Sequence, residues 1–324
     1  MKKVFFEKVG KPEEILQIQE VAIAEPKAGE VRIRVHYSPI NPSDVMFVQG
    51  LYGIRPILPS GAGFEGSGII DQVGEGVNFP IGMKVSFVDI GVWAEYICIS
   101  AKAVLPLPEK MSLEVGAQAF VNPFTAWAML HESGLKAGEW LLLTAGGSSF
   151  AQLVIQLAKE KGIKTIATVR RNDQIEQLRN LGANEVVNTS EIYLPKAVKQ
   201  ITEGKGVKYC FDALGGETGG QVIECLAVGG TMQVFGMLSL QNTPIHNGLV
   251  LFKNLTIKGF WLSTWITQIS KETRNLLVPE VMKLLSKESN ITIDGIYPIE
   301  DVIKAIQHSE SEGRKGKILL KMIK

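Results

Sequence analysis

The sequence predicts an α/β protein of two domains, a barrel of short β-strands and then a doubly wound parallel sheet. Three observations lead there. Up to about Leu107, short apolar–polar alternations are broken by Gly, Pro and Asp, the pattern of half-buried strands. Beyond Pro108, buried strands alternate with helices, which means parallel pairing through right-handed crossovers. A chain of 324 residues is also longer than one core usually grows, so two domains are expected.

In the first region VRIRVHYSPI alternates at period two. GSGIIDQVGEGV and MKVSFVDI repeat the pattern, with turns at Gly74-Glu75-Gly76 and Pro80-Ile81-Gly82, and WAEYICIS closes the set. A barrel accommodates such short strands. The second region opens on LEVGAQAFVNPFTAWAML, which has helical spacing, and WLLLTA, a continuous apolar run suited to a strand buried on both faces. A small-residue turn, GGSSFAQ, leads into the helix AQLVIQLAKEKG. TIATV, EVVN, YCFDAL and GTMQVFG read as further strands, separated by the helices DQIEQLRNLG, AVKQITEG and GGQVIECLAV, and LTIKGFW adds a last one. From about Glu272 a helix, LVPEVMKLL, and a final strand, KILLKMI, return the chain to the first domain. The expected division is 1–118 with 268–324 for the barrel domain and 119–267 for the parallel-sheet domain.

Composition excludes several function classes. Formal net charge is +1, from 34 basic and 33 acidic residues, so no field of one sign would draw nucleic acid or an anionic membrane. The start, MKKVFFEKVG, holds a three-residue apolar run, too short for a signal-peptide core, and no later stretch reaches a membrane span. Cys98, Cys210 and Cys225 are scattered, without a CxxC pair. Buried thiols in a reducing, cytoplasmic setting are expected.

WLLLTAGGSSFAQLVIQLAKEKG carries the first chemical signal. A strand that ends in small residues and opens a helix offers backbone N–H groups and a helix dipole to a pyrophosphate. Gly146 and Gly147 are present, but Ser149 and Ala151 stand where a full G-x-G-x-x-G/A pattern wants small residues at fixed offsets. A plain strand-to-helix turn is the alternative. The second signal is ATVRRNDQ, at the tip of the next strand, the place that selects between dinucleotides. No acid occurs there before Asp173, and Arg170 and Arg171 occupy the tip. A guanidinium fork matches a 2′-phosphate, so NADPH is favoured over NADH; a solvated arginine pair is the alternative. The third concerns metal. His36, His131, His246 and His308 lie far apart, and no cysteine sits near any of them at ligand spacing. GAGFEGSG has Phe64 before Glu65, so no metal site is expected.

These residues resemble the medium-chain dehydrogenase/reductases: GFEGSG, VGEGV, a C-terminal GKILL, and the order of barrel before parallel sheet. The resemblance covers nearly the whole chain and implies a GroES-like catalytic domain with a Rossmann domain. Zinc-using members carry a cysteine where this chain has INPSD and a histidine where it has Phe64, and a structural four-cysteine lobe that is absent here. That places the sequence with the zinc-independent branches. NPSDVMFVQGLYG, VNPFTAWAML and FWLSTW resemble the mitochondrial-type trans-2-enoyl-thioester reductases. LYGIRPILPSG is similar also to quinone oxidoreductases, which stand as the second reading; a non-catalytic NADPH-binding protein on the same fold is a third.

In the enoyl reductases the resemblance makes Tyr52 the proton donor. The chemistry asks for one: hydride at Cβ of an unsaturated thioester leaves an enolate, whose Cα must take a proton. A phenol with a pKa near 10 stays protonated at neutral pH. The alternative is that Tyr52 packs on its loop and water supplies the proton. The resemblance also assigns cofactor contacts to Asn122, Gly147, Ser148, Ser149, Phe150, Arg170, Arg171, Phe235, Gly236, Met237, Leu238, Phe260, Trp261, Leu262 and Lys317. Plain core packing is the alternative for Phe260 and Trp261, and a solvated lysine for Lys317. The family's turn normally keeps glycines where Ser149 and Ala151 stand, and Arg171 replaces a residue that is often acidic. The implied partners are an enoyl thioester or a quinone as substrate and a second copy in a homodimer, with VFGMLSLQ and GFWLSTW available for edge pairing.

Overall fold

The computed structural model describes residues 1–287 and 291–323. Its strands, in chain order, are β1 Lys2–Phe6, β2 Gln17–Glu20, β3 Glu30–Pro39, β4 Ser60–Gly61, β5 Glu65–Val73, β6 Lys84–Val88, β7 Tyr96–Ser100, β8 Val104–Pro106, β9 Trp140–Leu143, β10 Lys164–Val169, β11 Glu185–Asn188, β12 Val207–Asp212, β13 Leu226–Val234, β14 Thr256–Gly259, β15 Ile293–Pro298 and β16 Lys317–Lys321. They fall into two compact units, Met1–Val121 with Leu285–Lys324, and Asn122–Leu284. The return to the first unit thus comes at Leu285, later than residue 268. The Lys271–Leu285 helix stays with the second unit, where Leu277 and Val281 are buried and the Trp127 indole N–H donates to Glu280 at 2.5 Å.

The first unit holds a three-stranded sheet, β2-β1-β4, and a seven-stranded sheet in the order β15-β16-β3-β5-β6-β8, with β7 also on β3. Period-two alternation in β3 sends Val31, Ile33 and Val35 into the core at 0% exposure. Phe6, Phe87 and Trp93 join them, with Ile318 and Leu320 from the returning strand. β16 pairs with β15 on one side and β3 on the other. It is therefore an interior strand, and Lys317, Ile318, Leu319 and Leu320 are all buried.

The second unit is a six-stranded parallel sheet in the order β11-β10-β9-β12-β13-β14. β9 and β12 are central, and their residues Leu141, Leu142, Leu143, Cys210 and Phe211 are fully buried, as strands covered on both faces must be. From β9 the chain builds outward through β10 and β11, then crosses to β12, β13 and β14 on the other side. That reversal is the place where doubly wound sheets open a crevice at their carboxyl ends. Among the described residues no helix is long and apolar enough to cross a membrane.

Candidate active site

The carboxyl edge of the parallel sheet gathers most of the residues the sequence singled out. After β9 the chain turns through Ala145, a non-glycine residue at φ 50°, where an L-residue is strained. The Gly146 N–H donates to Thr168 O at 2.7 Å, and a Cβ on Gly146 would lie 2.9 Å from both Ala167 Cβ and that carbonyl. A Cβ on Gly147 would lie 2.5 Å from the Gln174 amide. Close approach to backbone thus demands glycine at Gly146, whereas at Gly147 the crowding atom is the end of a flexible side chain that can give way. Ser148 caps the Ser149–Glu160 helix, accepting the Ala151 N–H at 3.2 Å, and Ala151 is fully buried under the turn. Ser and Ala at the remaining offsets therefore leave a tight strand-turn-helix, with the first-turn N–H groups at its head. The Phe150 ring packs on Phe235 with ring centroids 4.1 Å apart and is 5% exposed. What Phe150 offers a pyrophosphate is its backbone N–H.

After β10, Arg170 is exposed and Arg171 half-exposed. The Arg171 guanidinium grips Asp173 through Nε at 3.0 Å and Nη2 at 2.7 Å. The first acid past the tip therefore competes for the charge expected to meet a phosphate. After β13 comes Phe235, held by its N–H to Asp212 O, then Gly236, with Met237 and Leu238 each 42% exposed. A Cβ on Gly236 would lie 2.8 Å from Ala213 O. After β14 the Phe260 N–H reaches Val234 O at 2.8 Å, and Leu262 opens a short helix, Leu262–Gln268. Trp261 is 39% exposed, whereas Trp265 is 8% exposed, its indole N–H on Glu132. Of the two aromatics the sequence left between wall and core, Trp261 is not core. Asn122 lies half-buried in the first turn of the Val121–Ser133 helix.

Within the first unit Tyr52 is half-buried, its ring centroid 5.3 Å from Phe64, which in turn lies 5.0 Å from Phe47. Directly upstream, the Pro42–Val48 helix opens on a reciprocal cap between Asn41 and Asp44, with the Asn41 N–H on Asp44 Oδ2 at 2.7 Å. Asn41 Nδ2 donates to Glu65 Oε1 at 2.8 Å. Glu65 Oε2 accepts the N–H groups of Val121 at 2.9 Å and Phe120 at 3.3 Å. Lys317 Nζ donates to Asn41 Oδ1. All four side chains are at least 97% buried. Burial pushes the Asp44 carboxyl up to about 7 and raises Glu65 as well; it lowers Lys317 to about 8. The structure thus sets Lys317 against a buried polar cluster and not against bulk solvent. RKGK looks like a surface charge run, but its last lysine begins an interior strand.

The sequence reading passed over Asn41, Asp44 and Glu65 as functional candidates. Asn41 and Asp44 stand at capping-box spacing, a signal available from sequence. Glu65, an acid inside the glycine run GFEGSG, had no such mark. Among the described residues no three His, Cys, Asp or Glu side chains converge as metal ligands. With Phe64 beside Glu65, the donor set does not fit a catalytic zinc, which takes three protein ligands.

Comparison with known proteins gives a consistent picture. A family model described as "Alcohol dehydrogenase GroES-like domain" matches residues 27–109, and one described as "Zinc-binding dehydrogenase" matches residues 151–281. The chain is 29% identical to the mitochondrial enoyl-[acyl-carrier-protein] reductase of Xenopus tropicalis, over 98% of this chain and 94% of that one. It is 32% identical to the protein of the same name from Caenorhabditis elegans, over 86% and 83%. Among solved structures, the quinone oxidoreductase of Escherichia coli complexed with NADPH superposes with a TM-score of 0.91 at 30% identity, over 99% and 100%.

Proposed function

This chain belongs to the medium-chain dehydrogenase/reductase family and is an oxidoreductase, and on that premise we propose that it reduces the α,β double bond of 2-enoyl thioesters with NADPH. The observation that carries the proposal is Tyr52. A phenol packs on Phe64, at the position where zinc-using relatives place a metal ligand. Full-length similarity to enoyl reductases supports the same reading. The loop around Tyr52 also exposes Leu51, Ile57 and Leu58, apolar surface of the kind an acyl chain covers.

Bound NADPH would supply the hydride taken up at Cβ. The chain's own residues do the rest. Backbone N–H groups at Gly147, Ser148, Ser149 and Phe150 hold the pyrophosphate, assisted by the helix dipole. Arg170 and Arg171 meet the 2′-phosphate, with Arg171 exchanging Asp173 for a dianion. Asn122 hydrogen-bonds the carboxamide or ribose. Phe235, Gly236, Met237, Leu238, Phe260, Trp261 and Leu262 wall the nicotinamide. Tyr52 donates its proton to Cα of the enolate, and the phenolate recovers one from solvent. Lys317 acts by holding the cluster that anchors the helix before Tyr52.

The test is Tyr52→Phe with a crotonyl thioester. Turnover should fall at least about tenfold, a loss of about 1.4 kcal/mol of transition-state stabilisation, with NADPH binding intact. Unchanged turnover removes the donor role. A second reading, NADPH:quinone oxidoreduction, is favoured by the likeness to the Escherichia coli enzyme; it needs hydride transfer to a flat ring and no acid at Cα. Steady-state rates on crotonyl-CoA against 9,10-phenanthrenequinone separate the two.

A further inference from the structure

At the carboxyl edge of the parallel sheet lies a buried pair to which the chemistry above gives no part. Thr144 is the last residue before the glycine turn and Asp212 ends β12; they are 1% and 0% exposed. The Thr144 hydroxyl donates to Asp212 Oδ1 at 2.8 Å and accepts the Ala213 N–H at 2.8 Å. Asp212 also accepts the N–H of Leu214 on Oδ1 at 3.2 Å and of Gly215 on Oδ2 at 3.0 Å. The loop so fixed holds the next one, because the carbonyls of Ala213 and Leu214 accept the N–H groups of Leu238 and Ser239 at 2.9 and 3.0 Å. One side-chain pair therefore ties together the loops that follow β9, β12 and β13.

Two features argue that this arrangement serves more than the fold. A carboxylate withdrawn from water is costly unless donors surround it, and here the donors come from loops rather than from the sheet. The residue after Thr144 is Ala145, in the left-handed region, a conformation that persists only where its surroundings over-determine it. Thr144 supplies that constraint twice, by its N–H on Phe211 O at 3.2 Å and by its hydroxyl on Asp212.

We propose that Thr144 and Asp212 are positioning residues for the dinucleotide, presetting the glycine turn and the Phe235-to-Leu238 loop before the ligand arrives. The inference rests on the NADPH reading and deepens it. Preorganisation removes an ordering cost from binding, so its loss is read mainly in cofactor affinity. A purely structural pair would lower the melting temperature and leave the affinity of the folded protein alone.

The experiment titrates NADPH fluorescence against the full chain and its variants, with melting of the free protein and steady-state rates in parallel. Thr144→Val, which keeps shape and removes the hydroxyl, should weaken NADPH binding about tenfold or more, since it strands the Ala213 N–H and takes one of two donors from Asp212 Oδ1. The rise in KM for NADPH should exceed the fall in kcat. Thr144→Ser should restore affinity to within about threefold of wild type by returning the hydroxyl. Asp212→Asn, of equal volume, should behave as Thr144→Val and decides the matter if that variant does not fold. Folded Thr144→Val or Asp212→Asn protein with wild-type affinity overturns the inference while the cofactor reading stands. Wild-type protein that binds no NADPH overturns both.

Discussion

Glu65 and Lys317 offer a direct measure of what the buried cluster does. Replacing Glu65 with Gln keeps the volume but leaves one acceptor oxygen where two served three donors, Asn41 Nδ2 at 2.8 Å, Val121 N–H at 2.9 Å and Phe120 N–H at 3.3 Å. The new amide must turn an NH2 toward one of them. It also strips from the buried Lys317 ammonium the acid that most favours its charged form. Truncating one member of a buried charge pair costs about 3–5 kcal/mol. At about 2–4 °C per kcal/mol for a domain of this size, the first unit should melt roughly 6–20 °C lower. Lys317→Met should cost a similar amount, because Glu65 is then buried without the cation that favours its charged form. The double variant removes both charges, and its loss should fall short of the sum by about 0.5–3 kcal/mol. Differential scanning calorimetry of the four proteins at neutral pH completes the cycle. Losses that add to within about 0.5 kcal/mol would show two side chains acting independently, and the cluster would not be a unit.

Asp44 makes a pH-dependent prediction. Burial holds its carboxyl up at about 7 in the folded protein, against about 4 in the unfolded chain. Between those values the folded state binds more protons, so the stability due to this group is complete below about pH 4 and is lost as pH rises through about 7. Urea unfolding of wild type and Asp44→Asn across that window should show the wild-type advantage shrinking with pH; a constant difference would mean that Asp44 titrates normally. Replacing Arg170 and Arg171 together by Ala should weaken NADPH about tenfold or more, since bonds to charged groups are worth about 1.5–3 kcal/mol, and should spare NADH. Equal losses for both dinucleotides, by fluorescence titration, would remove the 2′-phosphate role.

The fold was legible because its signals are local and periodic. β3 alternates as VRIRVHYSPI does, and the continuous run in WLLLTA became a strand covered on both faces. The glycine turn was legible from small residues at a strand end, and its two close approaches fall at Gly146 and Gly147. Lys317 was harder, since its sequence neighbours are charged and only the pairing of β16 with both β3 and β15 puts it inside. Glu65, Asn41 and Lys317 are far apart in the chain, and Thr144 and Asp212 meet only because β9 and β12 are neighbours in the sheet. No local pattern encodes such meetings. The late return at Leu285 was likewise hidden, because a tertiary bond from Trp127 to Glu280 keeps the preceding helix with the second unit.

Phe64 joins the metal question to the acid question. A zinc-using active site would polarise the carbonyl through the ion, and its ligands would occupy the position of this side chain. Here an aromatic ring stands there, packed between Phe47 and Tyr52. Where the resemblance to zinc-using relatives implies a histidine ligand, this ring instead gives the phenol a surface to lie on. A reaction that builds negative charge on a carbonyl oxygen must then be met by hydrogen-bond donors and completed by a proton from a neutral acid. On the proposed reading Tyr52 is that acid; it packs on Phe64, and the helix before it is capped by Asn41 and Asp44, with the Asn41 side chain held by Glu65 and Lys317. The placing of the phenol therefore traces to one short run of residues and the cluster beneath it.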